Sequence, residues 1–240
     1  MRYSRQIMMK QIGESGQDRL KNSSVLVVGA GGLGSSALYY LAAAGVGRIG
    51  VLDYDAVSLS NLNRQILHFT SDIGSEKAYS ATQKLSSLNP EITLEPHVVR
   101  LAEENAEELF SGYDIVVAAV DSVSVRHIIN RTCVRLKKTM VEGGIEGFRG
   151  MILCVKPGIT PCYHCVYRDT FLDEGAVGVV GATAGIIGSL EAMCAIQILL
   201  GIDRELDNKL IYFDALTMTL EHISVKRDEQ CPVCSGSAEP

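Results

Sequence analysis

The sequence predicts an α/β chain: a doubly wound, mainly parallel sheet, extended at its C-terminal end by antiparallel strands and a paired-cysteine knuckle. Three observations predict it. Short, nearly continuous apolar runs alternate with helical segments, the pattern of strands buried on both faces and joined by crossover helices. A glycine-rich turn, Gly29-Ala30-Gly31-Gly32-Leu33-Gly34, links the first such run to the helix after it. The texture then changes after Gly144, where strand-like runs flank one long apolar helix and two Cys-x-x-Cys pairs.

The elements follow in order. Tyr3–Leu20 reads as a polar helix leading into the domain, with Ile7, Met8, Ile12 and Leu20 on roughly one side. Ser24–Gly29 is the first buried strand, and a helix runs from about Leu33 to Ala44. Arg48–Asp53 is the second strand. Glu76–Leu88 is a helix ended by Asn89 and Pro90. Ile92–Val99 is a strand, Glu103–Phe110 a short helix, and Asp114–Val120 another buried strand. Val123–Lys137 is a helix and Thr139–Gly144 a strand. Beyond them, Phe148–Val155, Lys209–Phe213 and Thr219–Val225 read as strands around the Gly175–Ile202 helix and a loop that holds Cys162 and Cys165.

With 240 residues, no internal duplication and no Pro- or Ser-rich linker, the chain is expected to be one domain. It divides into a helical arm (1–22), a nucleotide-binding half (23–145) and a sheet extension with a crossover segment and knuckle (146–240). The composition, 47% hydrophobic and 21% charged, builds an ordinary core. The net charge of −6 argues against a sequence-independent nucleic-acid binder, which needs a cationic surface. Met1–Lys10 has no apolar signal run, and the seven cysteines are an odd number. Both point to a reducing cytoplasm rather than a disulfide framework. Gly175–Ile202 carries Glu191 as its only charge and resembles a membrane span by composition. Its glycines (Gly175, Gly178, Gly181, Gly185, Gly188) favour a tightly packed core helix instead.

Gly29, Gly31, Gly32 and Gly34 fit G-x-G-x-x-G between a strand and a helix, the Rossmann-like context in which backbone approaches a phosphate. Asp53 ends the second strand 19 residues after Gly34, where an acid meets a ribose hydroxyl pair. So far an NAD or FAD enzyme fits equally well. The polar connection Asp53–Gln65 does not suit one. It puts Asn61 and Arg64 near the phosphates, while Lys77 opens the next helix, Arg5 lies upstream and Asp121 follows the fourth strand. ATP requires cations for its triphosphate and an acid for Mg²⁺. Singly, Lys77 and Arg5 read as solvated charges and Asp121 as a helix N-cap. Around one glycine loop they form a set.

Arg2–Ile7 (RYSRQI), GAGGLG, the D-x-D-x-V-x-x-S-N-L-x-R-Q run from Asp53 to Gln65, G-x-x-K-A at Gly74–Ala78 and Val120-Asp121-Ser122 resemble the ThiF/MoeB/HesA group of ubiquitin-activating, E1-like enzymes across nearly the whole chain. The resemblance implies adenylation of a carboxylate by ATP, giving acyl-AMP and pyrophosphate, in cofactor biosynthesis. It implies that Asp53 holds the ribose and that Asn61, Arg64 and Lys77 bind the triphosphate. Asp121 would coordinate magnesium, and Arg5 would be donated across a homodimer. Asp55, Ser60, Gln65 and Ser122 join the nucleotide set by motif. Many relatives carry Asn where this chain has Ser122.

Cys162-x-x-Cys165 and Cys231-x-x-Cys234 suit tetrahedral Zn²⁺ with four thiolates, a closed structural site that would pin the tail to the body. A redox Cys-x-x-Cys is the other reading. The same two pairs occur in the resembling family. Cys133, Cys154 and Cys194 fall on helices and a strand, as small core residues do.

Relatives that form a thioester often carry a further cysteine between the first pair and the long helix. Here Val166–Gly175 has none, and Glu174 falls near its expected place. The chain is therefore expected to make acyl-AMP and leave transfer to a separate thiol or sulfur donor. Two substrates fit: the C-terminal Gly-Gly of a ubiquitin-like sulfur carrier, and a small-molecule carboxylate such as a pyridinol carboxylate. The cysteine-free segment tilts the reading towards the second. A Rossmann dehydrogenase leaves Arg64, Lys77 and Asp121 without a purpose. An inactive E1-like scaffold is the non-enzymatic alternative.

Overall fold

A computed structural model of the chain describes residues 2–168 and 178–237. Among them, eight strands form one sheet, in the order β3-β2-β1-β4-β5-β6-β7-β8. The strands are β1 (Ser24–Val28), β2 (Arg48–Leu52), β3 (Thr93–His97), β4 (Ile115–Ala118), β5 (Thr139–Glu146), β6 (Arg149–Val155), β7 (Lys209–Asp214) and β8 (Thr219–Ser224). From β3 to β5 the neighbours are parallel; from β5 to β8 they are antiparallel. The mixed sheet with a parallel centre and an antiparallel extension is the one the sequence predicts.

Burial on both faces explains the unbroken apolar runs. In β1, Val25 and Val27 enter one core with Leu38 and Leu41 of α3 (Gly32–Ala44) and Ile187 and Ala195 of α8 (Gly181–Leu200). Leu26 and Val28 enter the other, with Phe110 of α5 (Glu103–Ser111) and Ile129 and Cys133 of α6 (Val123–Arg135). Successive side chains of a strand point to opposite faces, so one strand serves both cores.

The apolar helix α8 is long and apolar enough to cross a membrane, and half of its most apolar window is buried inside the fold. Gly188 is what lets it meet α3: a Cβ there would stand 2.1 Å from the Leu33 carbonyl oxygen. Gly185 faces open space, so it does not contribute to that packing. The helix is also shorter than the Gly175–Ile202 run; 178–180 precede it, and 175–177 lie outside the described residues.

Two further local expectations are corrected. The arm is not one helix but α1 (Ser4–Ile7) and α2 (Gly13–Lys21), parted at Gly13, whose φ of 59° is left-handed. Cys165 lies on a short helix, α7 (Tyr163–Tyr167), with Cys162 as its N-cap, rather than in a loop.

The strand order reverses at β1. Parallel neighbours β2 and β4 leave on opposite sides of it, which opens a crevice at the carboxyl ends of these strands. Gly29, Asp53 and the Ala119–Asp121 turn all leave the sheet at that end.

Candidate nucleotide site

The glycine loop is held from several sides. The amide of Gly29 donates to the Leu52 carbonyl at 2.7 Å, and Gly29 has a φ of 97°. A Cβ on Gly29 would lie 2.5 Å from the Ala119 carbonyl oxygen, so the glycine is what brings the loop against the turn after β4. Gly34 needs its missing side chain equally, because a Cβ there would stand 1.9 Å from the Gly29 oxygen. The Gly31 carbonyl accepts from the Ser35 amide and hydroxyl, at 2.9 and 2.6 Å. With Gly31 as N-cap of α3, the first amides of that helix lack intrahelical partners and carry the positive end of its dipole.

Asp53 is buried at the end of β2 and accepts two amides, Ala30 N–H at 2.8 Å on Oδ2 and Asp55 N–H at 2.9 Å on Oδ1. It therefore fastens the glycine loop to the start of the polar connection. Each carboxylate oxygen keeps a second lone pair for a ligand hydroxyl.

That connection folds back on itself. The Val57 amide donates to Ser75, Gly74 to Val57, and the Lys77 amide to Asp55, all at 2.9 Å. This closure seats Lys77, the first residue of α4 (Lys77–Leu88), beside the strand end. Its side chain is 6% exposed, and Nζ donates to Asp55 Oδ2 at 2.8 Å. Lys77 is thus a buried, directed cation and not a solvated one.

Asn61 accepts the Ser58 amide at 3.2 Å and so caps the 3-10 turn Leu59–Asn61. Ser60 Oγ lies 3.0 Å from Ser58 Oγ. Arg64 Nη1 donates to the Ser60 carbonyl at 2.9 Å, and a Cβ on Gly32 would meet Arg64 Cγ at 3.6 Å. The guanidinium stem therefore lies along the glycine loop. Gln65 is buried, its Oε1 has no hydrogen-bond partner, and its Nε2 stands 3.6 Å from where a Gly31 Cβ would be.

Asp121 is exposed just beyond β4. It is not the helix cap: Ser122 is the N-cap of α6 and its hydroxyl accepts the Val125 amide at 3.3 Å. Arg5, on α1, is exposed.

Sequence reasoning missed the supports of this turn. Arg126 Nη2 donates to the Val120 carbonyl at 2.7 Å and Gly143 at 3.3 Å, and its Nε lies 3.4 Å from Glu142 Oε1. Its signal in the sequence was no more than an arginine one turn after Ser122. His68 was missed as well.

The four paired cysteines converge. Their sulfurs all lie within 4.8 Å of one another, with 3.7 Å from Cys162 to Cys165, 3.6 Å from Cys162 to Cys231 and 3.4 Å from Cys165 to Cys234. Zn–S bonds of ~2.3 Å in a tetrahedron place sulfurs about 3.8 Å apart, so the cluster has the size of a four-thiolate metal site. Asn130 of α6 accepts the Tyr163 amide at 2.9 Å and ties the first knuckle to the body. The crossover residues 169–177, Glu174 among them, lie outside the described residues.

A glycine loop and a strand-end acid at the switch point of a doubly wound sheet define a nucleotide-binding α/β architecture. The sequence pattern of the ThiF family matches residues 3–233. The sulfur carrier protein adenylyltransferase of Thermus thermophilus is 43% identical over 97% of this chain and 90% of its own. The SAMP-activating enzyme E1 of Haloferax volcanii is 40% identical over 97% and 88%. The adenylyltransferase and sulfurtransferase MOCS3 of Aedes aegypti is 42% identical over 98% of this chain, which spans 55% of that longer protein. Among solved structures, E. coli MccB with MccA superposes with a TM-score of 0.87 at 23% identity, covering 98% of this chain and 74% of that one. E. coli MccB with ATP gives 0.85 at 24%, covering 98% and 75%. At that identity the likeness is one of fold. The chain belongs to the ThiF family and is an E1-like adenylyltransferase. The dehydrogenase alternative falls with that assignment.

Proposed function

We propose that this chain uses ATP to adenylate the C-terminal carboxylate of a small ubiquitin-like sulfur carrier, and that all of it works as one unit. The observation that carries the reading is the gathering of Arg64, the Lys77–Asp55 pair and the Asp121 turn around one glycine loop. The names of relatives at 40–43% identity favour a sulfur carrier over the small-molecule acid towards which the cysteine-free segment tilts the sequence.

In this reading the loop amides cradle the phosphates and Asp53 receives the ribose hydroxyls. Gln65 sits against the loop, while Asn61, Arg64 and Lys77 line the triphosphate. Asp121, exposed beside Ser122, would be the carboxylate ligand of a Mg²⁺ that takes its remaining ligands from phosphates and water. When bound, that ion neutralises charge on the phosphates. Arg5 comes from a second copy of the chain. A carboxylate oxygen of the carrier attacks the α-phosphorus. The bond from that phosphorus to the bridging oxygen breaks, and pyrophosphate leaves with the electron pair. The protein's part is positioning and charge stabilisation by Arg64, Lys77 and Arg5. The cysteine quartet holds structural zinc, and the acyl group passes to a separate sulfur donor.

ATP–pyrophosphate exchange tests this. Exchange that depends on a carrier protein ending in Gly-Gly supports the reading. Exchange driven instead by a small carboxylic acid moves the substrate to the other class. ATP binding with no exchange across the whole panel identifies a scaffold.

A further inference from the structure

Ala30 sits between Gly29 and Gly31, and both of its backbone groups are taken. Asp53 receives its N–H at 2.8 Å, and its carbonyl oxygen lies 2.9 Å from His68 Nε2. A carbonyl can only accept, so Nε2 of His68 must carry the proton. On the other side of the ring, Nδ1 lies 2.9 Å from Ser80 Oγ, and Lys84 Nζ donates to that same hydroxyl at 2.9 Å. Lys84 donates to the Ser80 hydroxyl, whose own proton has two acceptors beside it, Nδ1 of His68 and the Asp72 carboxylate. His68 and Ser80 are both buried, at 3% exposure each. With the Ser80 proton on Nδ1, the donors run in one direction: Lys84 to Ser80, Ser80 to Nδ1, Nε2 to Ala30.

We propose that His68 is a positioning residue for the phosphate loop: a neutral imidazole, protonated on Nε2, that holds the Ala30 carbonyl inside the protein and so leaves amides, not an oxygen, facing a bound polyphosphate. This rests on the nucleotide reading given above. An anion site needs N–H groups turned towards it, and a carbonyl rotated outward would repel the phosphates. The charges around the ring agree with the neutral form. Burial pushes the imidazole down from its ordinary value, the hydrogen bond to Ala30 pushes it up, Lys84 and Lys77 of α4 push it down and Asp53 at the end of β2 pushes it up, with the net shift downward. Asp72 pairs with Lys84 and keeps that ammonium in place.

The test compares wild type with His68→Gln, whose amide nitrogen can reach Ala30, and His68→Leu, which cannot donate. Amide exchange across 29–31 is measured without nucleotide, and ATP affinity by titration calorimetry. His68→Leu should speed exchange roughly tenfold and weaken ATP roughly tenfold, the scale of one lost hydrogen bond to a buried carbonyl. His68→Gln should stay within about twofold of wild type in both. The ¹⁵N shifts of His68 at pH 7.5 should report a neutral ring with the proton on Nε2. An Nδ1–H tautomer, an imidazolium, or exchange in His68→Leu equal to wild type would overturn the proposal. If wild type fails to bind ATP, the nucleotide reading fails, while exchange and tautomer still judge the support of the loop.

Discussion

Lys77 and Asp55 are joined twice: Lys77 Nζ donates to Asp55 Oδ2 at 2.8 Å, and the Lys77 amide donates to the Asp55 carbonyl at 2.9 Å. The pair is asymmetric, with the lysine side chain 6% exposed and the aspartate 48%. In the proposed reaction the lysine reaches the polyphosphate while the half-exposed aspartate aims it.

The two partners are therefore expected to fail differently. Lys77→Met should reduce pyrophosphate exchange on the order of 10²–10³-fold, the scale for losing one directed charge in a transition state. Asp55→Asn should leave the lysine with a weaker acceptor and lower stability by about 1 kcal/mol, since water screens the exposed carboxylate. Equal, small effects on exchange would show that Lys77 serves the fold alone.

Metal content is the second measurement. Elemental analysis should find about one zinc per chain, the load of a single four-thiolate site. Chelation or Cys231→Ser should lower the melting temperature and loosen the segment after β8 while ATP affinity is kept. A metal-free wild type of equal stability would return the quartet to redox chemistry.

Arg5 supplies the third. If it acts in the site of a second copy, Arg5→Ala and Asp121→Ala should each be nearly inactive, and a mixed dimer of the two should regain activity in one of its sites. No rescue in a verified mixed dimer would keep Arg5 within its own subunit or outside the reaction.

A covalent acyl-enzyme is not expected. Cys133, Cys154 and Cys194 are all buried. Burial pushes the Cys133 thiol up, and the neighbouring Cys194 together with burial pushes Cys154 up. Buried in the core, none is exposed to attack an acyl phosphate. The triple variant Cys133→Ser, Cys154→Ala, Cys194→Ala should keep exchange activity if it folds. Mass spectrometry of wild type should show no thiol-labile acyl adduct at a rate that matches turnover; such an adduct would refute this.

Glu191 gives a pH signature of stability. It is fully buried on α8 against Gly143, where a Cβ would stand 2.5 Å from its carboxyl carbon. Burial, followed by the charge of Glu142, raises its pKa well above the ordinary carboxyl value. The folded protein then takes up a proton that the unfolded chain has released at neutral pH. Wild type should lose stability relative to Glu191→Gln as pH rises above about 4.5, by roughly 1.4 kcal/mol per pH unit until the folded group ionises. Urea unfolding at pH 5 and pH 8 checks this; a gap that does not widen with pH would mean Glu191 is ionised in the fold.

What the sequence determined by itself was whatever is local or periodic. Runs such as Val25–Val28 announce a strand buried on both faces, Gly29–Gly34 announces its turn, and the placing of Asp53 follows from the length of one strand–helix–strand unit. The two cysteine pairs were legible because a knuckle needs only three residues of spacing. The tertiary structure decided what depends on distant segments and on the removal of water. Cys162 meets Cys231 across 69 residues because β7 and β8 return the tail to the sheet. Lys77 became a buried cation because the connection from Asp53 folds back over it. Ser122 rather than Asp121 caps α6, a choice made by backbone angles that composition does not carry. His68 reads as one polar residue among many along the chain, and acquires its role only where the packing of α4 encloses it behind Ala30. Hydrophobic period and turn chemistry act over a few residues; desolvation and hydrogen-bond direction exist only once the chain has closed around them.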